Sequence, residues 1–255
     1  MIARPVPKVL AGRRRMWLPV LILSLGLVRV VAARAQVKVE AWYYLGDVDD
    51  NARAGQPIHA TVEAGRHVAL TLRGEGGVTY TGDVSSAARK MLKDTLAAHF
   101  NGLDGRLIHA GPLTQATDNF GVEVWAKAET DDGFHCVVRN GGRGGFAIVR
   151  NGEAYQGYYP GVGFIGWSGD IPAGQWVHLA LVRDNGKTTF YVDGRPRGRS
   201  DRAPSAPGAQ EPFTIGAQVG PEPGFFRGAI DEVRLFTFEP GRFSVKDLLL
   251  HHQAH

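Results

Sequence analysis

The stretch from residue 154 to residue 167, AYQGYYPGVGFIGW, concentrates aromatic side chains among glycines. Aromatic rings on a glycine-rich edge can stack on sugar rings, because the C–H faces of a sugar are apolar. Four of these rings are the candidate ligand contacts: Tyr155, Tyr158, Tyr159 and Trp167. The alternative interpretation is that at least half of the aromatic residues in this stretch belong to core strands.

An acidic turn near the start of the chain has residues that suit a hard cation. Asp47-Val48-Asp49-Asp50-Asn51 matches the D-x-D-x-N opening of an EF-hand loop. Ala52 replaces the glycine that such a loop requires and Ile58 occupies the closing glutamate position, so an EF-hand is excluded. The clustered carboxylates could still contribute to a calcium site; otherwise they form a solvated acidic turn.

Motifs that would indicate an enzyme are incomplete. Glu129-Thr130-Asp131 resembles the start of the E-x-D-x-x-E catalytic strand of laminarinase-type glycoside hydrolases, but Phe134 stands where the second carboxylate is needed. Residues 161–166 match G-x-G-x-x-G, yet the following segment, which reaches Pro172, cannot continue the helix that a phosphate site requires. The sequence therefore predicts a protein that is not an enzyme.

Residues 1–35 have the pattern of a secretory signal peptide. Seven basic residues and no acidic one occur there, with Arg13-Arg14-Arg15 before an apolar run at 16–28. Ala33-Arg34-Ala35 is a suitable cleavage site, which would leave Gln36 first. The apolar run has 13 residues, fewer than the roughly 20 that span a bilayer. We therefore expect a secreted protein, extracellular or periplasmic, with no membrane attachment after cleavage.

Composition narrows the class of partner. The whole chain of 255 residues has a net charge of +4, but residues 36–255 have 22 basic and 25 acidic residues, a net charge of −3. The basic character thus belongs to the leader, and no nucleic-acid partner is inferred. The single cysteine excludes a disulfide scaffold and a four-cysteine zinc module. Cys136 lies in the apolar run FHCVV and is predicted to be a small core residue.

Residues 36–255 are predicted to form one all-β domain. Short runs rich in β-branched and aromatic residues flank Asn151-Gly152 and the turn at 184–187, which predicts two hairpins. Many short strands with close turns are typical of an antiparallel sandwich or barrel. Two segments have helical patterns, at 85–99 and at 244–252; in the second, Ser244 and Asp247 have capping-box spacing.

The order of motifs along the chain resembles a laminin-G-like domain of the concanavalin A-like lectin/glucanase superfamily. The similarity covers most of residues 38–252. The matching segments are WYYLGD at 42–47, FNGLD at 100–104, GVEVWAK at 121–127, GQWVHLALVR at 174–183, TFYVDG at 189–194 and FRGAIDEVRLF at 226–236.

This resemblance implies a jelly-roll sandwich of two curved antiparallel sheets with a short C-terminal helix. It also implies a strand at 95–100, which limits the first helical segment to 85–93. Relatives often hold a structural calcium ion with main-chain carbonyls and an aspartate near the last strand. The matching residue here is Asp231, with Asp47 in the opening segment. The alternative for Asp231 is a hydrogen-bonded residue at a strand end.

The functional prediction is a secreted, non-catalytic, lectin-like binding module that recognises carbohydrate or an extracellular protein. One alternative is a structural or assembly component of a cell-surface complex. Another is a polysaccharide hydrolase or lyase of the same superfamily. The fold does not decide among them, and the sequence leaves the ligand and the oligomeric state undetermined.

Overall fold

The computed structural model describes residues 37–47, 51–58, 61–62, 69–73 and 77–251, with backbone alone for 61–62 and 69–73. These residues belong to one compact unit, 35–255. The signal-peptide segment, residues 1–35, lies outside the described residues, so its export and cleavage stay predictions. Among the residues that are described, no helix is long and apolar enough to cross a membrane.

Strands dominate the described part of the chain. They are β1 (Lys38–Tyr43), β2 (Thr61–Val62), β3 (Ala69–Arg73), β4 (Val78–Thr81), β5 (Ala97–Asn101), β6 (Arg106–His109), β7 (Phe120–Ala128), β8 (Phe134–Asn140), β9 (Phe146–Asn151), β10 (Ala154–Tyr159), β11 (Gly163–Ile165), β12 (Val177–Asp184), β13 (Lys187–Val192), β14 (Arg195–Ser200), β15 (Phe213–Ile215) and β16 (Arg227–Thr237). The helix α1 (Ser86–Leu92) and two 3-10 turns, Val245–Asp247 and Leu249–His251, complete the described elements.

These strands form two antiparallel sheets, which confirms the all-β sandwich. Sheet one has the order β14-β13-β12-β7-β16-β5-β4, with β1 also paired to β16. Sheet two has the order β11-β10-β9-β8-β15-β6-β3-β2. Both predicted hairpins are present: β9 pairs with β10, with Asn151 as the last paired residue and Gly152-Glu153 as the turn, and β12 pairs with β13 across the turn at 184–187.

The main core lies between the two sheets. Strand β7 shows the reason, because Val122, Val124 and Ala126 alternate along it and all three belong to this core. A strand places alternate side chains on opposite faces, so one apolar face of each sheet packs against the other. Cys136 is fully buried, as predicted.

The opposite face of β7 is covered by the C-terminal turns. Glu123 is fully buried there and accepts hydrogen bonds from Arg234 Nε at 2.6 Å, from His178 Nε2 at 2.9 Å and from the backbone N–H of Leu249 at 2.8 Å. The buried carboxylate is therefore neutralised and hydrogen-bonded, as a charge in an apolar interior must be.

Both helical segments take a shorter form than their sequence patterns suggest. Helix α1 begins after the cap Ser85 and ends at Lys93, which has a left-handed φ of 69°. The limit of 85–93 is thus confirmed, and the longer helix to residue 99 is wrong because β5 takes that segment into sheet one. At the C-terminus the capping box of Ser244 and Asp247 forms, but extended Leu248 divides the segment into two 3-10 turns.

Candidate functional site

Three accessible aromatic residues lie at one edge of sheet two, where β10 and β11 form its last hairpin. Tyr158 pairs with Phe164 across the two strands, and their ring centroids are 5.3 Å apart. Phe164 is 50% exposed and Trp167, just after β11, is 55% exposed, while Tyr158 is half-buried. We call Tyr158, Phe164 and Trp167 the aromatic edge.

Two of the four predicted ligand contacts lie elsewhere. Tyr155 and Tyr159 are fully buried members of the main core. The Tyr155 hydroxyl accepts a hydrogen bond from the Ala128 N–H at 3.2 Å, and the Tyr159 hydroxyl bonds to Thr188 Oγ1 at 3.0 Å. Alternation along β10 turns both side chains inward while Tyr158 faces outward, so the structure places them in the core and not on the surface where a ligand contact was expected.

The backbone on both sides of Trp167 is held firmly although its ring is in solvent. Ser168 exchanges two hydrogen bonds with the backbone of Tyr155, at 2.8 and 2.9 Å. Gly166 has a φ of 73°, and a Cβ at this position would lie 2.8 Å from the Cβ of Phe190. An exposed ring on an ordered backbone loses little further conformational freedom when it binds.

The positively charged side chain of Arg139 borders the aromatic edge on the same face of sheet two. The strand register aligns Tyr158, Ala147 and Arg139 across β10, β9 and β8. The Arg139 guanidinium lies 5.9 Å from the Tyr158 ring centroid, and the small residue Ala147 stands in register between them. The guanidinium is fixed by hydrogen bonds to the carbonyls of Gly141 and Gly142 and to Gln218 Oε1. The face thus combines apolar rings with a fixed guanidinium.

A second group of functional side chains lies in sheet one, where β16 changes partners. The first half of β16 pairs with β5 and the second half with β1. Between these halves the register with β7 shifts from Asp231 to Arg234, and Glu232 has a left-handed φ of 51°. A bulge with a strained non-glycine residue is common near functional positions.

Asp47 closes this junction from the turn after β1. Its Oδ1 accepts hydrogen bonds from the Thr95 N–H at 2.8 Å, the Thr95 hydroxyl at 2.6 Å and the Leu96 N–H at 3.3 Å, just before β5. One carboxylate oxygen from each of Asp47, Asp231 and Glu232 lies within 4.8 Å of the others. The structure therefore brings the two predicted metal residues together. The next three residues of the acidic turn, 48–50, lie outside the described residues.

Asp94 completes what we call the carboxylate cluster, together with Asp47, Asp231 and Glu232. Burial and the charge of Asp47 raise the pKa of Asp94 to about 7. A hydrogen bond with Glu232 lowers this pKa, but by less. Burial and the neighbouring carboxylates raise the pKa of Asp231 and that of Glu232 well above their usual ranges. The side-chain N–H of Trp42 donates a hydrogen bond to one oxygen of Glu232.

Several oxygens of the cluster are buried without a hydrogen-bond partner among the described residues: Asp94 Oδ2, Asp231 Oδ2 and Glu232 Oε1. An unpaired buried carboxylate is costly, so such oxygens need a proton or a cation. Calcium takes six to eight oxygen ligands, carboxylates foremost, and this group of oxygens fits that chemistry. Sequence reasoning missed Glu232 and Asp94, although Glu232 directly follows Asp231 in the IDEVRLF segment.

The incomplete glycosidase motif has partners that explain its acids structurally. Glu129 lies 2.8 Å from His99 Nε2 and 3.5 Å from Arg227 Nε. Asp131 accepts hydrogen bonds from Arg150 at 2.6 Å and from the Ala173 N–H at 2.7 Å. Both side chains hold neighbouring segments in place.

The chain belongs to the concanavalin A-like lectin/glucanases superfamily, because the laminin-G family model of that description matches residues 101–240. Comparison with the sequences of curated proteins gives no match. The superfamily includes binding modules and enzymes, so membership shows the fold and leaves the activity to the site.

Solved structures with the same fold come from several kinds of protein. Domain 4 of AbnA, a GH43 extracellular arabinanase from Geobacillus stearothermophilus solved with arabinotriose, matches with a TM-score of 0.58 and 21% identity, over 83% of this chain and 98% of that domain. The binding domain of Paraclostridial Mosquitocidal Protein 1 matches with a TM-score of 0.58 and 12% identity, over 83% of this chain and 52% of that one.

Trypanosoma rangeli sialidase in complex with sialic acid matches with a TM-score of 0.54 and 14% identity, over 82% of this chain. The match spans 32% of the sialidase, so about a third of that enzyme's length has this fold.

Proposed function

We propose that this protein is a secreted, non-catalytic binding module that recognises carbohydrate through the aromatic edge. The observation that carries the proposal is the exposure of Phe164 and Trp167, at 50% and 55%, on a well-anchored glycine-rich hairpin. Large apolar rings that are exposed to solvent on a folded domain are typical of a binding surface. Sugar faces stack on such rings, and neighbouring polar groups orient the hydroxyls. The arabinanase domain solved with arabinotriose supports a carbohydrate ligand for this fold.

We further propose that the carboxylate cluster holds a structural calcium ion. Asp47, Asp231 and Glu232 would supply direct oxygen ligands, and Asp94 would supply one more or orient a bound water. The ion would neutralise acids that are buried together and would join β1, β5 and β16 at their junction. Calcium here would stabilise the fold and take part in no reaction.

A glycan-array screen of the protein in calcium, repeated in chelator, tests the binding function. We expect binding to one class of glycan and at least a tenfold loss for Trp167→Ala and for Phe164→Ala, because each removes one stacking surface. Leu103→Ala is the control, since this side chain is 75% exposed in the turn between β5 and β6. It should bind like the wild type.

Two results would contradict the proposal. A blank array in both buffers would remove the carbohydrate ligand and favour an extracellular protein or a structural role. Binding that survives both aromatic substitutions would place the ligand elsewhere on the domain.

A further inference from the structure

Strand β14 is strongly cationic and is the last strand of sheet one in the part of the chain that the structure describes. It pairs with β13 on one side and ends the order of that sheet. Arg195, Arg197 and Arg199 are all exposed, and none of them forms a salt bridge with an acidic side chain in the described part of the chain. This concentration contrasts with the net charge of −3 for residues 36–255.

The register arranges these three guanidinium groups around the edge. Arg195 pairs with Val192 and shares the side of that core residue, whereas Arg199 pairs with Thr189 on the other side. Arg197 lies at the register shift between them. Six residues at about 3.3 Å each make β14 roughly 20 Å long, so the charges are spread along the strand and over both of its sides and do not form a pocket.

This edge adjoins the aromatic edge. Gly198 of β14 packs against Gly166, so closely that a Cβ on Gly198 would lie 2.2 Å from the Gly166 Cα. Arg202, just after β14, donates a hydrogen bond to the Val162 carbonyl at 3.1 Å. Exposed Trp167 directly follows Gly166, so it is the next residue after the point where sheet two meets β14.

Charges and proline on an edge strand also prevent edge-to-edge pairing, and Pro196 serves that purpose here. Charges of either sign would prevent such pairing, and no aromatic residue nearby would be needed for it. This role does not account for three arginines of one sign near Trp167 in an otherwise acidic domain.

We propose that the ligand is an anionic polysaccharide, whose carboxylate or sulfate groups lie along β14 while one sugar ring stacks on Trp167. The inference rests on the proposed carbohydrate function, because Trp167 is common to both. Guanidinium groups suit either anion, since each presents two oxygens to a planar pair of N–H donors.

Binding of the purified protein to three polysaccharides tests the inference: dextran sulfate, polygalacturonate and uncharged dextran. We expect binding to at least one of the two anionic polymers, weakening as salt is added, and at least tenfold weaker binding to dextran. Binding to polygalacturonate identifies carboxylate as the recognised group, and binding to dextran sulfate alone identifies sulfate.

Two charge-reversed variants separate a specific edge from net charge. The triple variant Arg195→Glu, Arg197→Glu, Arg199→Glu should bind the anionic polymer at least tenfold more weakly, because three exposed contacts worth a few-fold each become repulsive. The triple variant Arg53→Glu, Lys90→Glu, Arg242→Glu changes the net charge equally at exposed positions elsewhere and should keep most of the affinity. The first variant keeps three charges on β14, and the second leaves β14 unaltered. In both, charge on this strand still opposes edge-to-edge pairing with another sheet.

The failures of the two proposals are distinguishable. Binding to uncharged glycans alone, lost in Trp167→Ala, would overturn the anionic ligand and keep the carbohydrate function. Equal losses in both charge-reversed variants, affinity for the anionic polymer unchanged by Trp167→Ala, or equally tight binding to duplex DNA would also overturn the inference. No binding to any glycan or polymer would overturn both proposals.

Discussion

Calcium should stabilise this domain, and the carboxylate cluster sets the size of the effect. A ligand present at 100 times its dissociation constant adds about 2.7 kcal/mol to the free energy of unfolding. For a domain of 150 to 250 residues each 1 kcal/mol shifts the melting temperature by about 2–4 °C. Calcium at that excess should therefore raise the melting temperature by about 5–10 °C over a buffer with chelator, as measured by differential scanning calorimetry.

The pH dependence provides a second measure of the same cluster. Burial and Asp47 raise the pKa of Asp94 from 3.8 to about 7, so the folded state holds a proton that the unfolded chain releases. In chelator the free energy of unfolding should therefore fall as pH rises from about 4 to about 7, by a few kcal/mol at most. Calcium should displace the protons and remove much of this fall.

Substitutions test whether the carboxylate cluster binds a metal ion or is only a set of buried, protonated acids. Asp231→Asn removes a ligand charge and should abolish the calcium response, yet in chelator at about pH 8 it should be at least as stable as the wild type because one buried acid is gone. Asp132→Asn is the control, since its side chain is 86% exposed outside the cluster, and it should keep the response. A wild-type melting temperature that calcium leaves unchanged within about 1 °C would refute the metal site.

Three further predictions concern residues away from the cluster. Tyr155→Phe should cost about 1–2 kcal/mol of stability, measured by urea unfolding, because the buried Ala128 N–H loses its acceptor, while glycan affinity stays unchanged; a large loss of affinity would contradict the core assignment. Burial raises the pKa of the Cys136 thiol to about 12, so an aromatic disulfide reagent should label it only after denaturation, and rapid labelling of the folded protein would contradict its burial. Slight burial opposes ionisation of Glu211, but hydrogen bonds from the N–H groups of Gly142, Arg143, Gly208 and Gly144 outweigh it and lower the pKa of Glu211 to about 2. Because that pKa is depressed from 4.5, the ionised carboxylate stabilises the fold above about pH 4.5, and this stabilisation is lost towards pH 2. Glu211→Gln should therefore lower the free energy of unfolding by about 1 kcal/mol at pH 7 and by little at pH 2. An equal loss at both pH values would argue against a role for the charge.

Local features of the fold could be predicted because their causes are local. The turn between β12 and β13 specifies its hairpin through the left-handed backbone conformation that asparagine and glycine accept, since Asn185 has a φ of 48° and Gly186 a φ of 80°. The hairpin at Asn151-Gly152 forms one residue further on, because Asn151 still pairs with Ala154 and the turn is Gly152-Glu153. The Ser244 capping box depends on a spacing of three residues and forms as predicted. The segment 85–99 shows the limit of such reasoning, because helical spacing extends into β5, where pairing with β4 and β16 outweighs helix propensity.

The aromatic edge was half predictable. Composition singled out the 154–167 stretch, but alternation along β10 needs a register, which only pairing with β9 and β11 supplies. The register turns Tyr155 and Tyr159 into the core and leaves Tyr158 outside. Family resemblance alone offered no means to rank Phe164 above Tyr155 as a contact.

By itself the sequence determined an all-β sandwich of this superfamily, a candidate aromatic stretch and two acids that suit calcium. Only the tertiary structure decided which side chains share a site. Asp47 and Asp231 are 184 residues apart in the chain, and they meet because β16 exchanges β5 for β1 at a bulge. The same long-range pairing brings Glu232 and Asp94 to them and places β14 beside Trp167. Such contacts depend on strand order and register, which arise from packing the whole core and from no local pattern.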